Sequence, residues 1–202
     1  MLSSIFSKLS LFFLIIALPH STTVDWKLAK SSNGIEVFTK NDSNSKFRQV
    51  RSVVTIEASV ATILKTLRTY DYIAEWRMKT KAMSLLEGQP EGLHYLYLVI
   101  DLPQPFNDRD FVLELETQVL QDQSIRIDFK AVDGKYPNQK GLIRMQTMEG
   151  YWLIEPIDDQ STKLTYEYLS DPSGVPAWIV NLFSVSVPYK TLKKLKEQLD
   201  AA

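Results

Sequence analysis

Alternation of apolar and polar side chains dominates the middle of the chain. Between residues 109 and 121, Phe111, Leu113 and Leu115 point to one side, while Glu114 and Glu116 point to the other. A period of two predicts an antiparallel strand with one apolar face and one hydrated face. Similar segments predict further strands over residues 35–40, 47–56, 79–87, 92–101, 124–132, 141–157 and 162–170.

Helical spacing occurs in two other places. Ser59 is a suitable N-cap for a helix that runs to about residue 69, and a short helical turn is predicted over residues 71–76. The chain ends in a long predicted helix over residues 176–199, which Pro188 should kink because proline removes a backbone donor. Its apolar stripe consists of Trp178, Leu182, Val185, Tyr189, Leu192, Leu195 and Leu199.

The order of these elements predicts the fold class. A curved antiparallel sheet wrapped around the long C-terminal helix accommodates two strands, a helix, a run of strands and a final helix, which makes the fold α+β. A sheet of this shape need not be filled by its own side chains. The cavity that remains should hold a ligand or water, because an empty apolar void of about 500 Å³ would cost on the order of 12 kcal/mol.

The first residues predict a leader. The apolar run LSLFFLIIAL at residues 9–18 follows Lys8 and precedes a short polar stretch, which is typical of a secretory signal peptide. The run is too short to span about 30 Å of hydrocarbon. We therefore predict a signal peptide over residues 1–23, a mature domain over residues 24–202, and export to the periplasm or the medium. No A-x-A triplet fixes the cleavage point, so an uncleaved anchor and a buried helix stay open as alternatives.

Composition narrows the chemistry. A net charge of −1, with 45% hydrophobic and 23% charged residues, argues against a disordered chain and against a nucleic-acid binder. The chain has no cysteine, which excludes disulfides and thiolate metal sites, and its histidines are His20 and His94. The sequence contains no G-x-S-x-G, P-loop, dinucleotide-binding or H-E-x-x-H motif. We expect no catalytic residue, no metal and no cofactor.

Several stretches resemble the START family of lipid-transfer domains, which have a helix-grip fold. The clearest is PFNDRDFV at residues 105–112. The others are G-x-x-R at residues 141–144 followed by GYWLIEP at 150–156, LTY at 164–166 followed by D-P-x-G-x-x-P-x-W-I-V-N, and the opening W-x-L and G-I-x-V-F. The resemblance covers residues 26 to about 199, and the pattern is most similar to the short bacterial members.

This resemblance implies a tunnel for one lipid or sterol-sized molecule, gated by the loop at residues 102–108 and by the C-terminal helix. Sterol-carrying members commonly have an arginine six residues after the motif arginine, where this chain has Leu115. The departure favours a more apolar ligand, or a headgroup held elsewhere. We predict a monomer that binds and transfers a lipid without catalysis and contacts membranes transiently. A cyclase-like or hydrolase-like enzyme using the same cavity, and an interaction module with a filled core, are the alternatives.

The predicted ligand-binding residues are aromatic, apolar and basic side chains on the strands, the loop and the last helix. They are Tyr95, Tyr97, Phe106, Arg109, Phe111, Leu113, Leu115, Arg144, Trp152, Tyr166, Phe183 and Val187.

Several of these residues have a second interpretation. Arg109 and Asp110 could form a pair that acts near the mouth of the cavity or a pair that fixes a loop. Arg144 could hold an anionic headgroup or form an exposed salt bridge. Phe106 could be a lid residue or a core plug. On residues 92–101, either Tyr95 and Tyr97 or the alternate positions beginning at His94 face inward; we expect the tyrosines.

Overall fold

One antiparallel sheet provides the frame of the molecule. The computed structural model describes residues 25–42 and 44–200, so the predicted signal peptide lies outside the described residues. Within these residues, ten strands form one sheet in the order β1-β2-β3-β10-β9-β7-β6-β5-β4, and β8 pairs in parallel with β6. The strands are β1 Lys27–Ser32, β2 Ile35–Asn41, β3 Arg48–Ile56, β4 Thr80–Gly88, β5 Leu93–Ile100, β6 Arg109–Val119, β7 Ile125–Val132, β8 Ile143–Arg144, β9 Thr147–Pro156 and β10 Thr162–Asp171.

Two helical regions close the open side of this sheet. Helix α1 spans Val60–Leu67, and the Ser59 side chain accepts a hydrogen bond from the Thr62 amide, as the N-cap prediction requires. A 3₁₀ turn at Tyr70–Tyr72 then leads into the short helix α2, Ile73–Trp76. The C-terminal region contains α3, Ala177–Phe183, and α4, Ser186–Asp200. This arrangement confirms the predicted α+β helix-grip fold.

The C-terminal region differs from the sequence prediction in where it breaks. The helix is interrupted at Ser184 and Val185, and Pro188 lies in the first turn of α4. The prediction of a kink at Pro188 is therefore wrong. Amides in the first turn of a helix have no intrahelical acceptor, so proline there removes no hydrogen bond. The Ser184 hydroxyl instead donates to the Asn181 carbonyl and satisfies the end of α3.

Two strands also differ from the predicted pattern. Strand β1 was not predicted, because it is a mostly exposed edge strand and its sequence KLAKSS lacks an alternating apolar face. The segment predicted as one strand over residues 141–157 is divided into β8 and β9. The division occurs because β8 pairs with the beginning of β6, whereas β9 pairs with β7 and β10.

The core lies between the inner face of the sheet and the helices. Leu192 and Leu195 of α4 are fully buried and share one hydrophobic cluster with inward residues of the strands, such as Val54 and Leu164. Gly150 on β9 allows a very close approach of β10: a Cβ at this position would lie 2.0 Å from the Glu167 carbonyl oxygen. In the part of the chain that the structure describes, no helix has the length and apolar character needed to cross a membrane.

Candidate functional site

A cavity lies between the inner face of the sheet and α3. We call it the main cavity; its volume is about 160 Å³. Its wall is mostly apolar. The sheet contributes Phe111, Met148 and Tyr166, the loop after β5 contributes Leu102 and Pro103, and the helical side contributes Ile179, Val180, Phe183 and Val187.

A second, smaller cavity of about 40 Å³ lies deeper under α1 and α2, and we call it the inner cavity. Trp76, Leu113, Leu115 and Trp152 are part of its wall. Arg77, the residue after α2, lines both cavities and therefore lies between them.

The predicted site residues with apolar or aromatic side chains on inward faces are found at these cavities. Phe111, Tyr166, Phe183 and Val187 line the main cavity. The other three, Leu113, Leu115 and Trp152, line the inner cavity. Their contact with a ligand stays a prediction, but the predicted inward direction of the β6 apolar face agrees with the structure.

The predicted direction of Tyr95 and Tyr97 is wrong. The Tyr95 hydroxyl donates to Glu114 at 3.0 Å, and the Tyr97 hydroxyl donates to Asp110 at 3.1 Å, both on the outer face of the sheet. The Tyr97 ring packs on Tyr136, with ring centroids 4.3 Å apart, so the segment after β7 covers it. The inward residues of β5 are instead His94, Leu96 and Leu98, which pair with Leu115, Leu113 and Phe111 of β6.

Arg144 belongs to this outer cluster and does not reach either cavity. Its guanidinium donates to Asp110 at 2.9 and 3.1 Å and to the Tyr136 carbonyl at 3.1 Å. The hydrogen bond to Asp110 raises the pKa of Arg144, and both side chains are buried. The headgroup role predicted for Arg144 is therefore wrong, and so is the alternative of an exposed salt bridge. This ion pair fastens the segment after β7 to the outer face.

Arg109 fixes a loop and does not pair with Asp110. Its side chain is only 2% exposed. The guanidinium donates to three carbonyl oxygens, of Asn107 at 2.5 Å, Pro172 at 2.5 Å and Ser173 at 2.7 Å. Burial lowers the pKa of Arg109. Because Pro172 lines the main cavity, Arg109 holds part of the cavity frame without lining it.

The loop before β6 meets the cavity through residues other than the predicted one. Phe106 is half-buried, and its amide donates to the Pro103 carbonyl at 3.1 Å. The cavity wall contains Leu102 and Pro103 from this loop, and Phe106 lies outside it. Side chains adjacent to a proline have no periodicity, so the sequence did not indicate which of them turns inward.

Sequence reasoning missed Arg77 and Thr80, two polar residues of the main cavity, whereas Tyr166 was predicted. The Arg77 guanidinium donates to the Tyr166 hydroxyl at 3.2 Å and lies 5.7 Å from the centre of its ring. Thr80 is buried, and its hydroxyl has no hydrogen-bond partner among the residues that the structure describes. Tyr168 also lines this cavity, and burial raises its pKa, so its hydroxyl stays protonated. The one signal in the sequence was an arginine directly after the apolar turn that ends at Trp76.

The inner cavity contains one titratable pair. The Tyr70 hydroxyl oxygen lies 3.0 Å from His94 Nε2, and His94 Nδ1 lies 3.1 Å from the Gly92 carbonyl oxygen. Since a carbonyl only accepts, Nδ1 carries the proton and the Tyr70 hydroxyl donates to Nε2. Burial lowers the pKa of His94 and raises that of Tyr70 to about 12. Among the described residues, no three acidic or histidine side chains converge as a metal site.

Helix α3 covers the main cavity without contributing to the buried core. Ile179, Val180 and Phe183 face the cavity, but no side chain of α3 is fully buried. On its other side, Trp178 is 70% exposed and Leu182 is 67% exposed. The helix is therefore apolar toward the cavity and toward solvent.

Comparison with known proteins gives a consistent picture. The family model described as START domain matches residues 14–202. An uncharacterised protein of Pseudomonas aeruginosa is 34% identical over 173 residues, covering 85% of this chain and 85% of that protein. The solved structure of a STAR-related lipid transfer protein from Xanthomonas axonopodis is 31% identical, with a TM-score of 0.80, covering 86% of this chain and 98% of that chain.

A more distant structure shares the fold alone. It is an aromatase/cyclase from a Streptomyces species, which is 15% identical with a TM-score of 0.53, covering 76% of this chain and 92% of its own. Because one fold can support several functions, this likeness concerns architecture and not activity.

Proposed function

Since the chain belongs to the START domain family, as its motifs predicted, we propose that it binds and transfers one lipid or similar hydrophobic molecule without catalysis. The observation that carries this proposal is the apolar cavity between the sheet and α3. Apolar walls with a few converging polar groups are typical of sites for small hydrophobic ligands. The similar protein from Xanthomonas axonopodis is itself described as a lipid transfer protein, which supports the same role here.

The gate that we propose consists of α3 and the loop at residues 102–108. The main cavity, at about 160 Å³, is smaller than the roughly 300–1,000 Å³ of typical ligand sites. A lipid therefore needs the wall to move outward. Neither α3 nor this loop has a fully buried side chain, and local opening of such segments is inexpensive.

The exposed side of α3 is the surface that we propose for transient membrane contact. Trp178 and Leu182 place large apolar side chains in solvent on the same short helix that covers the cavity. Tryptophan favours the boundary between water and hydrocarbon. Contact at this position would bring the gate to the membrane from which a lipid is taken or to which it is delivered.

A vesicle experiment tests the gate and the surface together. The variant Trp178→Ser/Leu182→Ser should transfer lipid between vesicles at least about fivefold more slowly, while the amount of lipid bound at equilibrium stays unchanged. Leu28→Ser removes a similarly exposed leucine from the edge strand β1 and serves as the control, which should transfer at the wild-type rate. Equal rates in all three proteins would contradict the proposed contact surface.

Native mass spectrometry of the purified protein separates binding from the enzymatic alternative. A stoichiometric lipid adduct recovered unchanged supports a carrier. A ligand that is converted during incubation supports a cyclase-like or hydrolase-like enzyme instead. The same spectra give the oligomeric state, for which we propose a monomer.

We also propose that residues 1–23 direct export. A reporter fused to residues 1–25 should cross the inner membrane of a bacterium that carries the fusion. Full-length protein recovered in the cytosol with its original N-terminus would contradict this proposal.

A further inference from the structure

One feature of the main cavity that lipid binding alone does not explain is the positively charged side chain of Arg77 in its wall. Arg77 is partly buried at the junction of the main and inner cavities. Its guanidinium donates to the Tyr166 hydroxyl, and within the described residues it has no carboxylate at ion-pair distance. A guanidinium can donate several hydrogen bonds, and in the described part of the chain the Arg77 side chain donates only one of them, to Tyr166.

The charges around the cavity do not neutralise Arg77. The charged residues of the wall are Arg48, Arg77, Lys79 and Asp101. Lys79 and Asp101 pair with each other at 2.7 Å, and Arg48 is exposed at the rim. The wall therefore carries an excess of positive charge in a protein whose net charge is −1. An anionic group that enters this cavity is attracted by these positive charges. The attraction is stronger than in bulk water because the cavity partly excludes water.

Two further donors lie on the same wall. Within residues 25–42 and 44–200, the buried Thr80 hydroxyl lacks a hydrogen-bond partner, although buried hydroxyl groups in native proteins are generally hydrogen-bonded. The Tyr168 ring stacks on Tyr166 at 4.8 Å and places a second phenol at the cavity. These groups and Arg77 are all able to donate to an oxygen anion, whereas the remainder of the wall is mostly apolar.

We propose that Arg77, with Thr80 and Tyr168, binds the anionic oxygen group of an acyl amphiphile, either a carboxylate or a phosphate. This inference rests on the proposed function, because it places the polar end of the hydrophobic ligand. The acyl chain then lies along the apolar wall beneath α3. The planar guanidinium fork suits both carboxylate and phosphate, so the two anions share one recognition chemistry.

Equilibrium dialysis with radiolabelled single-chain lipids tests the subsite. The probes are oleate, lysophosphatidate and the neutral oleyl alcohol, each at a concentration below its micelle threshold. Wild-type protein should bind at least one of the two anions at least about tenfold more tightly than the alcohol, a difference of about 1.4 kcal/mol. Whichever anion binds more tightly identifies the headgroup as carboxylate or phosphate.

Variants assign the preference to Arg77. Arg77→Gln should remove the preference for the anion while the affinity for oleyl alcohol changes less than about twofold, and Arg77→Lys should keep part of the preference. Arg126→Gln is the matched control, because it also replaces an arginine by glutamine but at a position that lines neither the main cavity nor the inner cavity; it should leave the preference unchanged. Thermal unfolding by circular dichroism verifies that each variant is folded. If Arg77→Gln does not fold, the wild-type preference and its reduction in Arg77→Lys decide the question.

The outcomes separate this inference from the proposed function. Equal affinity of wild-type protein for anions and alcohol, or an unchanged preference in Arg77→Gln, overturns the anionic subsite and leaves lipid binding intact. Competition by acetate or inorganic phosphate as strong as that by the matching lipid also overturns it, because the site would then recognise a free anion. Binding of none of the three lipids overturns the proposed function and this inference with it.

Discussion

Replacing Arg109 by lysine measures how strongly a single side chain holds the frame of the cavity. The guanidinium donates to three carbonyl oxygens at once, one in the loop before β6 and two in the segment after β10. Lysine keeps the positive charge, but its compact ammonium group cannot reproduce the planar fork that serves these carbonyls. We therefore expect at least one carbonyl to lose its partner in a buried position.

The expected loss of stability follows from the number of hydrogen bonds that Arg109 forms. A hydrogen bond that involves a charged group contributes about 1.5–3 kcal/mol, and an orphaned buried acceptor adds a desolvation cost of similar size. Arg109→Lys should therefore lower the free energy of unfolding by about 2–4 kcal/mol. For a domain of this length, a loss of about 3 kcal/mol lowers the melting temperature by roughly 6–12 °C.

Chemical denaturation of two matched variants tests this reasoning. Arg126→Lys is the control. The Arg126 side chain also forms three hydrogen bonds, but they go to the carboxylate of Asp128, and the Arg126 side chain is 33% exposed. An exposed pair of this kind contributes at most about 1 kcal/mol. If Arg109→Lys loses no more stability than Arg126→Lys, the three carbonyl contacts do not hold the loop as argued. Faster ligand exchange in Arg109→Lys would accompany the expected loss, because the freed loop leads into α3.

Three further changes test the packing and electrostatics of the interior. Gly150→Ala should cost at least about 3 kcal/mol in thermal unfolding, since the new methyl group meets the Glu167 backbone, whereas Gly92→Ala, with open space at its Cβ, should stay within about 1 kcal/mol. Leu115→Arg should destabilise the protein by at least about 3 kcal/mol as an unpaired buried charge, and Leu115→Met by less than about 1.5 kcal/mol; equal melting of the two would show that the position faces water. Burial lowers the pKa of His94 in the folded protein. The neutral histidine therefore contributes to the free energy of unfolding above about pH 6.5, the pKa of histidine in the unfolded chain. This contribution is lost as the pH falls through the lower pKa of His94 in the folded protein. Denaturation of wild-type protein and His94→Gln between pH 8 and 5 should therefore converge toward acid, and parallel curves would contradict the assignment.

The sequence predicted those parts of the site where only one face of a strand is apolar. On β6, glutamates alternate with Phe111, Leu113 and Leu115, so a single choice of direction buries the apolar residues. On β5, both sets of side chains are apolar or aromatic, and the choice depends on what covers the outer face. That cover is Tyr136, a residue from a segment without periodicity, so Tyr97 was assigned to the wrong side.

The basic residues were harder to predict than the apolar ones. An arginine can point to a carboxylate, to carbonyls or to a cavity, and its partners lie far away in the chain. Arg144 forms an ion pair with Asp110, and Arg109 donates a hydrogen bond to the Pro172 carbonyl oxygen. Arg77 was missed because it follows a single helical turn, where no pattern of neighbours indicates a direction. The motif that contains Arg109 predicted the family of the chain correctly. It indicated Asp110 as the partner of Arg109, whereas the structure shows three carbonyl oxygens.

The break at Ser184 and Val185 divides the C-terminal region into two segments whose side chains are packed to different extents. Helix α4 carries fully buried residues such as Leu192 and Leu195, so substitutions there are limited by the stability of the whole domain. Helix α3 contributes no fully buried side chain, yet it forms one wall of the cavity and presents Trp178 to solvent. Substitutions in α3 can therefore alter the cavity wall and the exposed apolar surface at little cost in folding. The chemistry of these seven residues is thus separable from the packing of the scaffold that holds them.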